Sequence, residues 1–378
     1  MQLPLKGIIV LEFCQYLSGP CAGLRLADLG ARVIKIEHPE KGEGGRKLAI
    51  KNMWVDDNSL LFNTINRNKE SFAIDLGDPE DMHWLKKLIA GAHVLVHNFR
   101  PGVMERKALG YEDVKHINPR IVYTQISGYG EKGPLRNRPG QDLLVQCISG
   151  LTYTTGSRED APTALGLGIG DYLCGNQSVQ FIIAALIKAA KTGEGTLLQL
   201  SLLESLIDFQ FEFFTTYFQS GNLPERASFN NAHSLLSAPY GIYKTADGYV
   251  ALAMIPIQKL NTILNCKALE QYEDRDCFRK RDEVKKLIAA TIVTNTNQYW
   301  LEKSKALDLW VMPVLNWKEM KTSAGYKVLD MEQTVTLPGN KTFITTRCPI
   351  RINGRILKSD KPAPGIGEHN EQIKASLI

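Results

Sequence analysis

Cysteine is sparse in this 378-residue chain: seven residues, at 14, 21, 147, 174, 266, 277 and 348, with no CxxC pair among them. An odd, scattered set of this kind argues against both a disulfide framework and a zinc cluster. An excess of charge of one sign is also missing. The 45 basic and 40 acidic residues leave a net +5, evenly spread, which excludes an electrostatic nucleic-acid binder but suits a small anionic ligand. The longest strongly apolar runs, 181–187 and 206–217, are short or interrupted by Asp208, Gln210 and Glu212. A membrane span needs about 20 apolar residues, so none is expected. The start, MQLPLKGIIVLEF, lacks a signal peptide's charged beginning and small-residue cleavage site, and a reducing, cytoplasmic location is expected. What is present is ordinary: 44% hydrophobic, 22% charged, 31 Gly and 17 Pro, a globular composition that excludes disordered, collagen-like and coiled-coil classes. The length is roughly two and a half times the ~150 residues of an average domain, so two domains or one elaborated domain are expected.

The first hundred residues alternate between strand and helix signals. GIIVLEF (7–13) is a short apolar run, followed by a Gly-containing turn SGPCAG, a helical LRLADLG ending at Gly30, and ARVIKIE. Gly30 stands where a helix C-terminus requires a left-handed residue. SFAIDL (71–76), a helix opened by Asp78-Pro79 as cap and first turn, HVLVHNF (93–99), a helix over 111–117 and RIVYTQIS (120–127) continue the pattern. This alternation predicts an α/β fold, a Rossmann-like doubly wound parallel sheet. A long helix from Tyr172 to about Lys191, the strand LLQLSL and one further helix, LLESLIDFQFEFFTTYF, extend the same domain. After Gly221 the chain turns polar and irregular, then forms a hairpin over 240–254 with an Asp247-Gly248 turn. These signals place a smaller α+β domain at 226–325, inserted into a discontinuous large domain made of 1–225 and 326–378.

Several residues could carry chemistry. Asp171 follows Gly166, Gly168 and Gly170 and opens a helix. By itself it is either a plain N-cap after a glycine turn or a carboxylate kept ionised and nucleophilic by the helix N-terminus. Cys174, one turn later, is either a thiolate near the positive helix end or a small buried helix residue; no His neighbours it. His93 and His97 share an HxxxH spacing, but they flank an apolar strand without a third ligand, so no metal site is expected. SGPCAG lacks the full dinucleotide fingerprint, although Glu37 ends the second strand where such folds bind a ribose. Cations gather at segment ends, at Arg46, Arg67, Lys69, Arg100, Arg106, Lys132, Arg136 and Arg138. Strand C-termini of a doubly wound sheet are where phosphates are held.

The strings GPCAGLRLADLGARVIKIEHPEKGEGGR, INRNKESFAIDL, VLVHNFRPGVMERKALGY, NPRIVYTQISGYGEKGP, GIGDYLCG with TGEGTLLQLSLLES, APYGIYKTADGYVALAM and APGIGEHNEQI together resemble the class III CoA-transferase (CaiB/BaiF) family. The likeness covers nearly the whole chain in the family's order. It implies transfer of coenzyme A from an acyl-CoA donor to a free carboxylate or dicarboxylate, with no permanently bound cofactor. The family's attacking Asp lies in a GxGD segment, which makes Asp171 the matching nucleophile, forming a mixed anhydride and then an aspartyl-CoA thioester. Backbone N–H groups around Gly168 and Gly170 would stabilise the oxyanions. By position, Leu17, Ser18, Asn98, Phe99 and Arg106 match the CoA contacts, and His38 stands where relatives carry a basic residue. Gly77 replaces a family Lys, a charge that Arg67 and Lys69 would partly supply. The resemblance also implies an interlocked homodimer, acyl-CoA and carboxylate as the small-molecule partners, and neither a nucleic-acid nor a membrane partner.

Two other readings stand beside it. The family includes α-methylacyl-CoA racemases, whose catalytic His lies in a GHD segment; the matching residues here are Gly140-Gln141-Asp142. Glutamine cannot act as that base, so Gln141 becomes a candidate for orienting the carboxylate substrate or a locally bonded loop residue. In the crossing segment, Asn231-Ala232-His233 is similar to an NxH motif of some members, and His233 is either a substrate contact or a hinge residue. A non-catalytic CoA-binding protein is the third reading.

Overall fold

The computed structural model describes residues 2–378. Six strands, β1 (Ile9–Phe13), β2 (Arg32–Glu37), β3 (Glu70–Ala73), β4 (Val94–His97), β5 (Val122–Ser127) and β6 (Thr196–Ser201), form one sheet in the order β3-β2-β1-β4-β5-β6. Every pairing is parallel. This is the doubly wound plan expected from the strand and helix alternation, and its order reverses between β1 and β4, the point at which such sheets hold ligands outside the strand C-termini. Helices α1 (Ser18–Asp28), α2 (Leu60–Asn66), α3 (Pro79–Gly91), α4 (Tyr111–Ile117), α5 (Asp142–Ile148), α6 (Ile169–Thr192) and α7 (Leu202–Phe209) lie between these strands or follow them along the chain.

Local signals account for many of the ends. Asp78 caps α3 by accepting from the N–H groups of Glu80 and Asp81 at 2.8 and 3.0 Å, with Pro79 in the first turn. Gly30 closes α1 at φ +103°. Below the sheet, Leu11, Phe13, Phe72, Leu85, Ile89, Leu95 and Tyr123 form a continuous core against α3 and α4. On the edge strand β3, the C-terminal segment substitutes for a missing neighbour. Asn370 accepts from the Ala73 N–H and donates to its carbonyl, both at 2.8 Å, while the N–H groups of Gly367 and His369 bond to Ser71. An exposed sheet edge is thereby covered, which explains the APGIGEHNEQI string.

The chain divides into two compact units: Met1–Val145 with Leu167–Asp208 and Asp330–Ile378, and Gln146–Gly166 with Phe209–Leu329. The boundaries differ from the expected 226–325. The second unit also takes in 146–166 and 209–225, because the guanidinium of Arg226 donates to the carbonyls of Thr155 at 2.7 Å and Asp160 at 2.8 Å, and Asn231 donates to the Gly156 carbonyl. The single helix expected after β6 is two. It breaks at Gln210, whose buried amide reaches the Ser149 carbonyl, and resumes as α8 (Phe211–Ser220). The expected hairpin is present as β7 (Gly241–Lys244) and β8 (Tyr249–Leu252), extended to three strands by β9 (Val311–Pro313). The segment 342–352 forms strands within the first unit, in two-stranded antiparallel sheets apart from the parallel one.

One expectation about length is corrected. The helix α6 has 24 residues and is long and apolar enough, by length and composition, to cross a membrane. It nevertheless packs as a core helix: Gly170, Cys174, Ser178, Val179, Ile182, Ala185 and Ala189 form one buried stripe at helical spacing against α1, β5 and β6.

Candidate active site

Two charged residues interrupt otherwise apolar strands, and they build the floor of the site. Glu12 on β1 and Lys35 on β2 are opposite each other in register and fully buried. Lys35 Nζ donates to Glu12 Oε1 at 2.9 Å and Lys69 Nζ to Oε2 at 2.8 Å. Burial alone would raise the Glu12 carboxyl, but the two ammonium groups override it and hold it below the usual carboxylate range. The same lysines reach onward to backbone carbonyls. Lys35 donates to Cys14 and Lys69 to Pro20, at 2.8 and 2.9 Å, bracketing the turn that links β1 to α1.

Gly23 and Gly175 are required for this closeness. A Cβ on Gly23 would lie 1.7 Å from Glu12 Oε2, and one on Gly175 would lie 2.6 Å from the Ser18 carbonyl, where α1 and α6 cross. This crossing brings Ser18, at the start of α1, close to Asp171, at the start of α6, where its hydroxyl and backbone N–H favour the ionised carboxylate.

Asp142, the first residue of α5, arrives from another direction. Residues 128–140 form a loop whose ends touch: a Cβ on Gly128 would lie 2.5 Å from the Gly140 Cα, and Tyr129 donates to the Pro139 carbonyl. Asp142 Oδ1 then accepts from the N–H groups of Gly170 at 2.7 Å and Asp171 at 3.1 Å, capping α6 from a distant segment. Two expectations change as a result. The Gly170 and Asp171 N–H groups are already engaged by a carboxylate and are not idle oxyanion donors. The Asp171 carboxyl is not held down by the helix end: burial first, and then the Asp142 carboxylate, push it up to about 6, with Ser18 pulling the other way. It is therefore still mostly ionised at neutral pH.

The other expected positions fall as follows. Leu17 packs beside Gly168, where a Cβ would come within 2.9 Å of it. Asn98, at the end of β4, turns its amide back to Gln15, accepting from its N–H at 2.8 Å and donating to its carbonyl at 2.7 Å. Phe99 is half-buried beside His97, and Arg106 is exposed two turns beyond. His38 is exposed and accepts from the Glu40 N–H. Gly77 lies in an exposed turn closed by Asp75. Arg67 and Lys69, expected to replace charge at Gly77, do not: both are buried, Arg67 in a two-bond pair with Asp28 at 2.7 and 3.0 Å, and Lys69 on Glu12. Arg46 and Glu37 are likewise paired with each other in the interior, and Ser71 donates to the same Glu37 carboxylate, so Glu37 is not available to a ribose. Arg100, Arg106, Lys132 and Arg138 remain exposed beyond the C-termini of β4 and β5.

Gln141 is exposed and precedes α5, its carbonyl accepting from the Val145 N–H. His233 belongs to the second unit, where its Nε2 lies 3.4 Å from a Glu212 carboxylate oxygen and its Nδ1 accepts from the Leu235 N–H. Burial pushes the Cys174 thiol up to about 12, which makes it a poor nucleophile and leaves the buried-helix reading. His93 accepts from the Ile9 N–H and His97 is buried. No group of three or more metal-ligating side chains occurs among the described residues.

Residue reasoning missed Asp142 as the cap of α6, and Glu12, Lys35 and Lys69 as supports of the turn. Glu12 and Lys35 left a signal, a charge inside an apolar strand run; Asp142 left none, because its partners lie 28 and 29 residues away.

A parallel α/β sheet with a half-buried carboxylate at the start of α6, beside the first turn of α1, defines an enzyme of the CoA-transferase class once its relatives are considered. A model of CoA-transferase family III matches residues 5–370, and the chain belongs to that family. It is 31% identical to the succinate–glutarate CoA-transferase of Agrobacterium fabrum over 99% of this chain and 96% of that protein. It is 29% identical to the acetyl-CoA:oxalate CoA-transferase of Acetobacter aceti over 98% of this chain and 95% of that one. A CaiB/BaiF family protein from Brucella suis has the same fold, with a TM-score of 0.86 at 29% identity and full coverage of both chains.

Proposed function

We propose that the enzyme moves coenzyme A from an acyl-CoA donor to a free carboxylate or dicarboxylate through an aspartyl-CoA thioester on Asp171. The observation that carries this reading is the Asp171 carboxylate itself, half-buried where the N-termini of α1 and α6 meet, beside Ser18 and a second carboxylate, Asp142. The names of its relatives, with succinate, glutarate and oxalate as carboxylates, support the substrate class. In the first step an Asp171 oxygen attacks the thioester carbonyl and the CoA thiolate leaves, giving an acyl-aspartyl anhydride. The thiolate then attacks the aspartyl carbonyl, releasing the donor's carboxylate and forming the aspartyl-CoA thioester. The acceptor carboxylate repeats the sequence in reverse and leaves as the new acyl-CoA. No net proton is taken up, and the thioester free energy is conserved throughout.

On this reading CoA lies along the C-terminal edge of β1 and β4, against Leu17, Ser18, Asn98 and Phe99. Arg106 and His38 face its phosphates, with Arg100 and Lys132 close in sequence to the same strand ends. Gly168 and Gly170 keep the backbone low beside the reacting carbonyl, and Gln141 contacts the carboxylate substrate. The racemase reading has no base in its support, since Gln141 carries only an amide. The working form is an interlocked homodimer in the cytoplasm, without a nucleic-acid or membrane partner and without a permanently bound cofactor. Phe181 and Ile187 on α6, half-exposed in a single chain, suit an apolar face covered by a second copy.

Incubation with succinyl-, acetyl- or formyl-CoA and hydroxylamine should convert one carboxylate to a hydroxamate, located by mass spectrometry. Labelling at Asp171 is the expected outcome; labelling elsewhere, or full turnover in Asp171→Asn, overturns the reading. Light scattering on the purified protein tests the dimer.

A further inference from the structure

Two carboxylates crowd the first turn of α6. The N-cap of that helix is Gly168, which has no side chain to accept from the N–H groups behind it. Asp142 fills the role from α5: its Oδ1 accepts from the N–H groups of Gly170 at 2.7 Å and Asp171 at 3.1 Å. Room for it depends on Gly170, where a Cβ would lie 3.0 Å from the same oxygen. The Asp171 side chain turns back over the same helix end, so that a Cβ on Gly168 would lie 3.9 Å from Asp171 Oδ2. Two like charges therefore share one helix N-terminus. The donors that steady an anion at such an end are given to Asp142 and withheld from Asp171.

We propose that Asp142 is a positioning residue that drives the thioester onto Asp171: it occupies the helix N–H groups and sets a second negative charge beside the nucleophile, so that covalent capture, which removes the Asp171 charge, is favoured. This role rests on the assignment of Asp171 as nucleophile and goes beyond it, because it concerns the equilibrium between free and covalent enzyme. In the half-reaction the thioester passes from the donor acid to Asp171, and the negative charge passes from Asp171 to the released acid, with no net proton moved. The thioester stays with the acid whose anion is less well stabilised. Acylation relieves the same repulsion as protonation, so a neighbour that makes Asp171 hold a proton more tightly makes it hold the thioester more tightly by a similar factor. Of the groups facing Asp171, Asp142 brings a charge from α5; Cys21 on α1 and Cys174 on α6 are thiols pushed up to about 11 and 12, neutral at neutral pH, and Ser18 on α1 pulls the other way.

The test measures this exchange in the full-length enzyme and in Asp142→Asn and Asp142→Ala. Asparagine keeps an oxygen for the Gly170 and Asp171 N–H groups and removes only the charge; alanine also frees those N–H groups for Asp171. Each protein is equilibrated with whichever of succinyl-, acetyl- and formyl-CoA the wild type turns over, at a fixed ratio to the donor's own free acid. The enzyme–CoA adduct is quantified by intact mass and located by peptide mapping. At pH 7.5 the exchange constant should be up to about tenfold lower in Asp142→Asn than in the wild type, the factor equivalent to one unit of carboxyl pKa, and at least as low in Asp142→Ala. The gap should narrow to about twofold or less at pH 5, where the wild-type free carboxyl, pushed up to about 6, is itself protonated and the repulsion is already relieved. A cap with no further role predicts an unchanged constant in Asp142→Asn. An unchanged constant at pH 7.5 in a folded variant, or a gap equal at pH 5 and pH 7.5, overturns the proposal. Both variants carry the same sign, so either decides if the other does not fold. No adduct in the wild type, or an adduct on another residue, refutes the nucleophile and this role with it, whereas an adduct at Asp171 with an unchanged constant refutes only the role of Asp142.

Discussion

Glu12, fully buried, and Asp171, half-buried, are both carboxylates beside α1, yet they titrate in opposite directions. Glu12 has two lysines within 2.9 Å and is held below the usual range; Asp171 faces Asp142, has only Ser18 to favour its ionised form, and is pushed up to about 6. The difference separates support from reactivity. A buried carboxylate with its charge fully answered is an anchor, whereas one that is answered only in part is costly to ionise and correspondingly ready to form a bond.

The largest expected break in this comparison comes from Asp171→Asn. Turnover should fall by at least ~10³-fold, the scale of a lost covalent nucleophile, while thermal stability at pH 7.5 rises. The sign follows from the raised pKa. A folded-state value near 6 against an ordinary value of 3.8 means that the native state binds the proton more tightly, so stability from this group falls as pH rises from about 4 to 6. Two units correspond to an upper figure of about 3 kcal/mol, and solvent relaxation reduces it. The gain in unfolding temperature should therefore be present at pH 7.5 and absent at pH 4; equal gains at both would place the stabilisation outside this ionisation.

Glu12→Gln is expected to act in reverse, leaving Lys69 buried without its counter-charge and Lys35 with only the more distant Glu43, at 3.6 Å. Loss of about 3–5 kcal/mol is the usual cost of breaking a buried pair from one side, read by denaturant unfolding. Because the Glu12 pKa is lowered, its contribution is present above the unfolded carboxyl value and is lost as pH falls through the folded one. A near-neutral Glu12→Gln would erase the distinction drawn here.

Asp142→Asn sharpens the other side. Removing the second carboxylate should lower the Asp171 pKa and shift the acid limb of kcat/KM, expected near pH 6 in the wild type, to lower pH by up to about one unit. A limb that stays in place would assign the shift to burial alone, the larger of the two causes. The smallest effect belongs to Arg32→Ala. The Arg32–Glu70 pair joins β2 to β3 as Lys35 joins β2 to β1, but the Arg32 side chain is 34% exposed, and exposed pairs contribute under about 1 kcal/mol. Its loss should be within that limit and should shrink further in high salt.

Much of this was legible before any coordinates. Alternating apolar runs and caps such as Asp78-Pro79 predicted the parallel sheet and its helices, because they depend on neighbours a few residues apart. The family resemblance pointed to Asp171, and the residue pattern alone left it open as a cap. The domain boundary was not legible, since residues 146–166 join the second unit through Arg226 and Asn231, some 70 residues away. Nor was the fate of Arg67, Lys69 and Glu37, whose charges read as ligand contacts and are spent inside the protein.

The amino-acid sequence by itself determined the doubly wound sheet, the glycine-flanked carboxylate at the start of α6 and the membership of a CoA-transferase family, since periodicity, capping and motif order are local properties of the chain. Tertiary structure decided the state of that carboxylate. Its pKa is set by burial and by Asp142, with Ser18 pulling the other way, groups that only the crossing of α1 with α6 and the closed loop 128–140 bring together.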